Sequence, residues 1–165
     1  MNFNFRKGDE LSAKKRTQYR ILGKILFVLY IIFVFYFLLI SEIYGRTGEM
    51  ENYHYNLVLF KEIKRFWNYR KQLGMFATAA NLFGNILIFL PFGFFMPMAS
   101  EYRNFLGTTV YSLSLSLVIE LTQLFMKVGS FDVDDLLLNT IGGMLGYIAF
   151  TVCNRIRRNY GKKRK

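Results

Sequence analysis

Four long stretches of this chain carry almost no charge, and that pattern restricts the architecture more than any other feature. Residues 25–41 read ILFVLYIIFVFYFLLIS without a charged side chain. Residues 72–100 are uncharged, residues 104–126 carry only Glu120, and residues 136–154 are uncharged again. A hydrocarbon layer ~30 Å thick needs about 20 apolar residues in helical form to cross it, and each stretch meets that length once its flanks are counted. The expected fold class is therefore an all-α integral membrane protein with four transmembrane helices. The spans are expected at about 25–44, 76–97, 104–126 and 135–154, within one membrane domain over 25–154. The first stretch is too long for a signal peptide and lacks a small-x-small cleavage site, so it reads as an uncleaved anchor.

The charge follows the spans. The chain carries a formal net charge of +11. Seven of its 22 Lys and Arg precede Ile25, and seven more follow Asn154. Basic clusters abutting apolar runs are orientation signals, and no nucleic-acid reading element accompanies them. Residues 1–24 and 155–165 read as basic tails, the first as disordered or lying on the membrane surface. With four spans both tails share one side. Together with the turn at 98–104 that side holds 15 Lys and Arg, against seven in the other two loops. The expected location is a cell membrane, multi-pass, with both termini cytoplasmic.

The external loop, 45–75, is mixed. Leu57, Phe60, Ile63 and Trp67 recur at three- and four-residue steps, so 56–71 is compatible with an amphipathic helix in the interface plane. His54 lies alone in this loop and reads as a surface residue. The single cysteine, Cys153, gives neither a disulfide nor a metal framework. Pro91 and Pro97 predict that the second span kinks near Pro91 or ends early.

Polar groups inside a bilayer are costly and ask for partners. Asn81 and Asn85 share a face of the second span. Ser112, Ser116, Glu120 and Gln123 form a stripe on the third, and Asp135 and Asn139 lie four apart on the fourth. At 1.5 Å rise per residue, Asn81 and Asn85 lie ~7 and ~13 Å below the outer end of their span, Glu120 ~10 Å below the surface, and Asn139 ~6 Å below Asp135. Six side chains (Asn81, Asn85, Glu120, Gln123, Asp135 and Asn139) thus fall at overlapping depths in the outer half of the membrane. They form the candidate ligand-binding cluster, with a purely structural network as the alternative. Gly84, Pro91, Gly93, Gly142, Gly143 and Gly146 are the candidate helix-packing positions, because small residues let backbones approach. Asp132 and Asp134 are weak candidates for a divalent cation and better candidates for capping the fourth helix. No catalytic residue and no cofactor is assigned. Glu120 with Asp135 is the one carboxylate pair that acid–base work could use.

Three segments carry a family resemblance: NLFGNILIFLPFGFFMP (Asn81 to Pro97), SLVIELTQLF (Ser116 to Phe125) and FDVDDLLLNTIGGMLGY (Phe131 to Tyr147). Their order resembles the VanZ-like family over roughly 56–150. One departure is Asn56-Leu57-Val58-Leu59-Phe60, where family members often carry Asn-Leu-Ile-Pro-Phe. The resemblance implies a bacterial integral membrane protein associated with low-level resistance to teicoplanin, a lipoglycopeptide that targets cell-wall precursors. The expectation is a non-enzymatic factor whose outward polar pocket binds a lipid-linked precursor or a lipoglycopeptide, with membrane lipids as partners and no nucleic acid. Two alternatives stand beside it. One is a membrane-embedded enzyme acting on a polyprenyl-linked or phospholipid substrate, and the other is a structural partner of a membrane complex. Oligomeric state is not readable from the sequence.

Overall fold

A computed structural model of the chain describes residues 3–37, 53–100 and 103–163. Its elements in chain order are α1 (Phe3–Phe35), β1 (Tyr55–Asn56), α2 (Lys61–Asn68), α3 (Arg70–Leu73), α4 (Met75–Ala99), α5 (Phe105–Phe125), β2 (Phe131–Asp132) and α6 (Val133–Lys163). Four helical segments are long and apolar enough to cross a membrane: Thr17–Phe35, Thr78–Ala99, Phe105–Phe125 and Val133–Tyr160. The protein is an all-α, multi-pass membrane protein.

Burial is inverted relative to a water-soluble helix bundle, where apolar side chains line the interior. The buried residues of α5 are Thr108, Ser112, Ser116, Ile119, Glu120 and Gln123, all polar except Ile119. The exposed positions of the same helix include Leu106, Val110, Leu113, Leu117 and Val118. Lipid is as apolar as leucine, so this arrangement leaves leucine to the bilayer and gives polar groups to one another.

Helix α4 is the hub. It packs most extensively on α6 and also on α1, while α5 packs mainly on α6. The α4–α6 crossing depends on glycine. A Cβ added to Gly93 would lie 1.9 Å from the Gly143 carbonyl oxygen, one at Gly142 2.3 Å from that of Ile86, and one at Gly146 2.0 Å from that of Leu90. Gly143 turns the other way, where an added Cβ would meet the Ser112 hydroxyl oxygen at 2.0 Å. One helix face therefore serves two neighbours. Gly84, also expected at a packing position, is half-buried on α4.

The apolar part of the core is small and aromatic. Tyr30, Val34, Phe89, Phe92 and Ile119 form it, with the rings of Phe27 and Phe92 5.6 Å apart. Helix α4 runs through Pro91 and Pro97 to Ala99 and does not end early. Near Pro91 the Tyr30 hydroxyl donates to the Ile88 carbonyl at 2.7 Å and meets the Phe92 amide. A hydroxyl from α1 thus enters the backbone ladder beside the residue that lacks an N–H.

Two expectations change. Residues 3–24, read as a disordered or surface-lying tail, continue α1 without a break, so the helix starts well before the apolar run. The second basic tail is likewise helical through Lys163. The amphipathic segment does not span 56–71 as one helix. Asn56 folds into a turn, its Oδ1 accepting the Val58 amide at 3.1 Å, and Phe60 is left-handed at φ 64°. Helix α2 therefore begins only at Lys61, and Tyr69 separates it from α3. The end of the first expected span, 38–44, and the loop residues 45–52 lie outside the described residues.

Candidate functional site

The polar residues gather at the end of the bundle opposite the chain termini. There β1 and β2 pair in parallel, with Tyr55 opposite Phe131 and Asn56 opposite Asp132. The Phe131 amide donates to the His54 carbonyl at 3.1 Å. This bridge brings the loop before α2 against the loop before α6, and both asparagine and aspartate side chains close over it.

Asp132 is the first hub. Its Oδ1 accepts the Asp134 amide at 2.8 Å, the geometry of an N-cap for α6. The same oxygen accepts the Asn56 side-chain amide at 3.1 Å. Its own backbone amide donates to Glu120 Oε2 at 3.0 Å. Burial is the main cause that pushes the Asp132 carboxyl above its ordinary range. The neighbouring Asp134 charge acts in the same direction, while the Asp134 amide, the Asn56 amide and the Arg65 charge oppose it.

Asp134 does something the sequence reading did not anticipate. It is 1% exposed, and its carboxylate accepts the backbone amides of Phe60 at 2.5 Å, Glu62 at 2.9 Å and Ile63 at 3.2 Å. Of the two aspartates expected to cap α6, Asp132 does so and Asp134 caps α2 instead. Amides at a helix start have no intrahelical acceptor and attract negative charge. As a result α2 is tied to the bundle by a side chain from a different element. Among the two weak cation candidates, Asp132 Oδ1 and both oxygens of Asp134 thus accept N–H groups.

Deeper in the bundle, the Asn85 amide donates to the Asp135 carboxylate, joining α4 to α6. Asn139 Nδ2 donates to Ser116 Oγ at 2.9 Å, joining α6 to α5. Glu120, Gln123 and Asn139 are buried, and Asn85 and Asp135 are half-buried. Asn81 sits one turn beyond Asn85 and is exposed on α4. Gln123 lies beneath the loop, where Gly129 approaches so closely that an added Cβ would be 3.3 Å from Gln123 Cβ. Among the described residues, Asn139 Oδ1 is buried and without a hydrogen-bond partner. A buried amide oxygen left unpaired costs free energy, so it marks a place where a donor is wanted.

Asn56 is the participant that sequence reasoning missed. It entered only as the start of a divergent loop motif. An asparagine before a turn is common, and nothing in the sequence couples it to an aspartate 76 positions away.

A second feature lies at the other end of the bundle. Between α1, α4 and α5 lies a cleft of about 670 Å³ whose lining includes Lys24, Phe27, Phe92, Met96, Leu115 and Val118.

The family model described as VanZ/LLP1 matches residues 27–154, which include every residue of the polar network. The chain belongs to the VanZ/LLP1 family. It is 32% identical over 108 residues to Protein VanZ of Enterococcus faecium, a match covering 60% of this chain and 67% of that protein. No solved structure matches the chain. The VanZ/LLP1 match takes in all three segments that carried the resemblance, which supply most of α4, the polar face of α5 and the β2–α6 corner. These are the elements whose side chains meet.

Proposed function

We propose that this VanZ/LLP1 member is a non-enzymatic factor of the bacterial cell envelope, with both termini in the cytoplasm and the polar network facing outward. Its role is to bind the polar part of a lipid-linked cell-wall precursor or of a lipoglycopeptide such as teicoplanin. Asn81, Asn85, Glu120, Gln123, Asp135 and Asn139 form the recognition surface, and α2 covers it. The observation that carries this reading is the meeting of side chains from α4, α5 and α6 at one level, with the buried Asn139 Oδ1 still lacking a donor. Sugars and peptides present many N–H and O–H donors, which suit a site rich in carboxylate and amide oxygens. Exposed Trp67, Tyr69 and Leu73 on and beside α2 and α3 suit a cover seated at the membrane interface. The carboxylates of Glu120 and Asp135 both accept hydrogen bonds from the protein, which favours holding a ligand over shuttling a proton.

The test is expression in a sensitive bacterium, with surface-bound labelled teicoplanin and vancomycin measured against an empty vector. Wild type is expected to change teicoplanin binding, and Glu120→Gln, inserted at an equal level, to lose that change. Wild type and Glu120→Gln both matching the empty vector would remove support for the reading.

A further inference from the structure

We infer that the end of the bundle carrying both chain termini holds a separate site for the phosphate of an anionic phospholipid, between α1, α4 and α6. A cavity of about 190 Å³ opens there, and its lining includes Tyr19, Phe94, Arg103, Phe150, Asn154 and Arg157. Neither guanidinium hangs loose. The Arg103 guanidinium lies over the Phe150 ring, 5.9 Å from its centroid, and the Arg157 guanidinium over the Tyr19 ring at 4.5 Å. Arg157 also donates to Asn154 Oδ1 at 2.8 Å. The backbone at Arg103 is fixed in turn, because the Tyr147 hydroxyl donates to its carbonyl at 3.1 Å. Two cations pre-positioned on aromatic faces lose little freedom when an oxyanion binds, and the planar fork of each matches phosphate oxygens.

The site's level in the membrane selects the occupant. Tyr19 lies two residues inside the span that begins at Thr17, and Arg103 two residues before the span that begins at Phe105. The arginines therefore stand at headgroup depth. The floor is apolar, with Phe94 and Phe150 meeting edge to face at 5.9 Å. Exposed Leu22 on α1 and Ile156 on α6 keep the adjoining helix surfaces apolar. A ligand satisfying both parts carries one or two negative oxygens and a hydrocarbon chain. Basic pockets between transmembrane helices recognise lipid headgroups by this combination. The site is remote from the outer network and does not depend on what that network binds.

The experiment uses the full chain in neutral detergent with dioleoylphosphatidylglycerol and dioleoylphosphatidylcholine in equal amounts, and native mass spectrometry counts the lipid retained. Phosphatidylglycerol is expected to be retained with about tenfold preference, the size two interfacial arginines can supply. Arg103→Gln combined with Arg157→Gln should bring the two lipids to parity, whereas Arg155→Gln with Arg158→Gln, exposed on the same helix, should keep the preference. In parallel, inorganic phosphate is added without lipid while the melting temperature is followed. Equal retention of the two lipids by wild type overturns the inference whether or not the variants fold. So does a preference that survives the loss of Arg103 and Arg157, or a stabilisation by free phosphate as large as that by phosphatidylglycerol.

Discussion

Asp132 sits in a conflict that the surrounding structure only partly resolves. Its carboxyl accepts two N–H groups, which favours the anion, yet burial and the adjacent Asp134 favour the protonated acid and prevail. A carboxyl held above its ordinary value in the folded protein binds its proton more tightly there than in the unfolded chain. Its contribution to stability is then complete below the ordinary carboxylate value, about pH 4, and is lost as pH rises through the native value. Asp132→Asn keeps an oxygen for the Asp134 and Asn56 amides but removes the titration. The melting temperature of wild type in detergent is therefore expected to fall relative to Asp132→Asn as pH is raised from about 4 to 7. A difference that stays flat across that range would contradict the account. Asn85, Asp135, Asn139 and Glu120 were readable from sequence because four-residue spacing and counted rise place them on shared faces at shared depths. Their individual partners were not, because rise fixes height and leaves rotation about the helix axis open. Asn81 shows the consequence: it shares a helical face with Asn85 by spacing, yet one turn nearer the start of α4 it is exposed where Asn85 is half-buried.

At the scale of elements, the α4–α6 pair rests on backbone-to-backbone approach, and its tolerance for added atoms is close to zero. Gly146→Ala would place a methyl group 2.0 Å from the Leu90 carbonyl oxygen, which no rotamer can relieve. The helices must separate, and the expected cost is about 2 kcal/mol or more, of the order seen for overpacked cores. Gly74 provides the contrast, since an added Cβ there meets nothing within 4 Å although φ is +87°. Gly74→Ala is expected to cost backbone strain instead, about 1–3 kcal/mol, because φ 87° with ψ 145° is open essentially to glycine alone. Thermal unfolding of Gly146→Ala in detergent should show a clearly lowered melting temperature, and a value equal to wild type would count against a glycine-limited crossing. The spans themselves were legible because apolar length is a one-dimensional signal. The start of α1 was misjudged because charge was taken to stop a helix, whereas it only stops the bilayer. Lys and Arg are good helix formers, and α6 continues through them to Lys163. The β1–β2 pairing has two residues per strand, too short to leave any periodicity.

At the scale of the whole molecule, the described helices place Phe60 and Asp134 together at one end and Tyr19 and Arg157 at the other. That polarity makes the topology testable as a single fact. With Cys153 replaced by alanine, single cysteines at Asn68 and at Asn159 are expected to label from opposite sides of the membrane with an impermeant thiol reagent, position 68 from outside intact cells. Labelling of both from one side would exclude the arrangement.

The bond between Asp134 and the start of α2 also sets an order of assembly. The chain emerges from the ribosome N-terminus first, and Phe60 precedes its acceptor by 74 residues. At about 5–20 residues per second, those amides wait roughly 4–15 seconds before the carboxylate that receives them has been made. During that interval the segment has no fixed seat. Helix α2 is thus an early-synthesised piece that docks late, once the start of α6 has been made, and a chain truncated before residue 134 would carry it without the carboxylate that receives it.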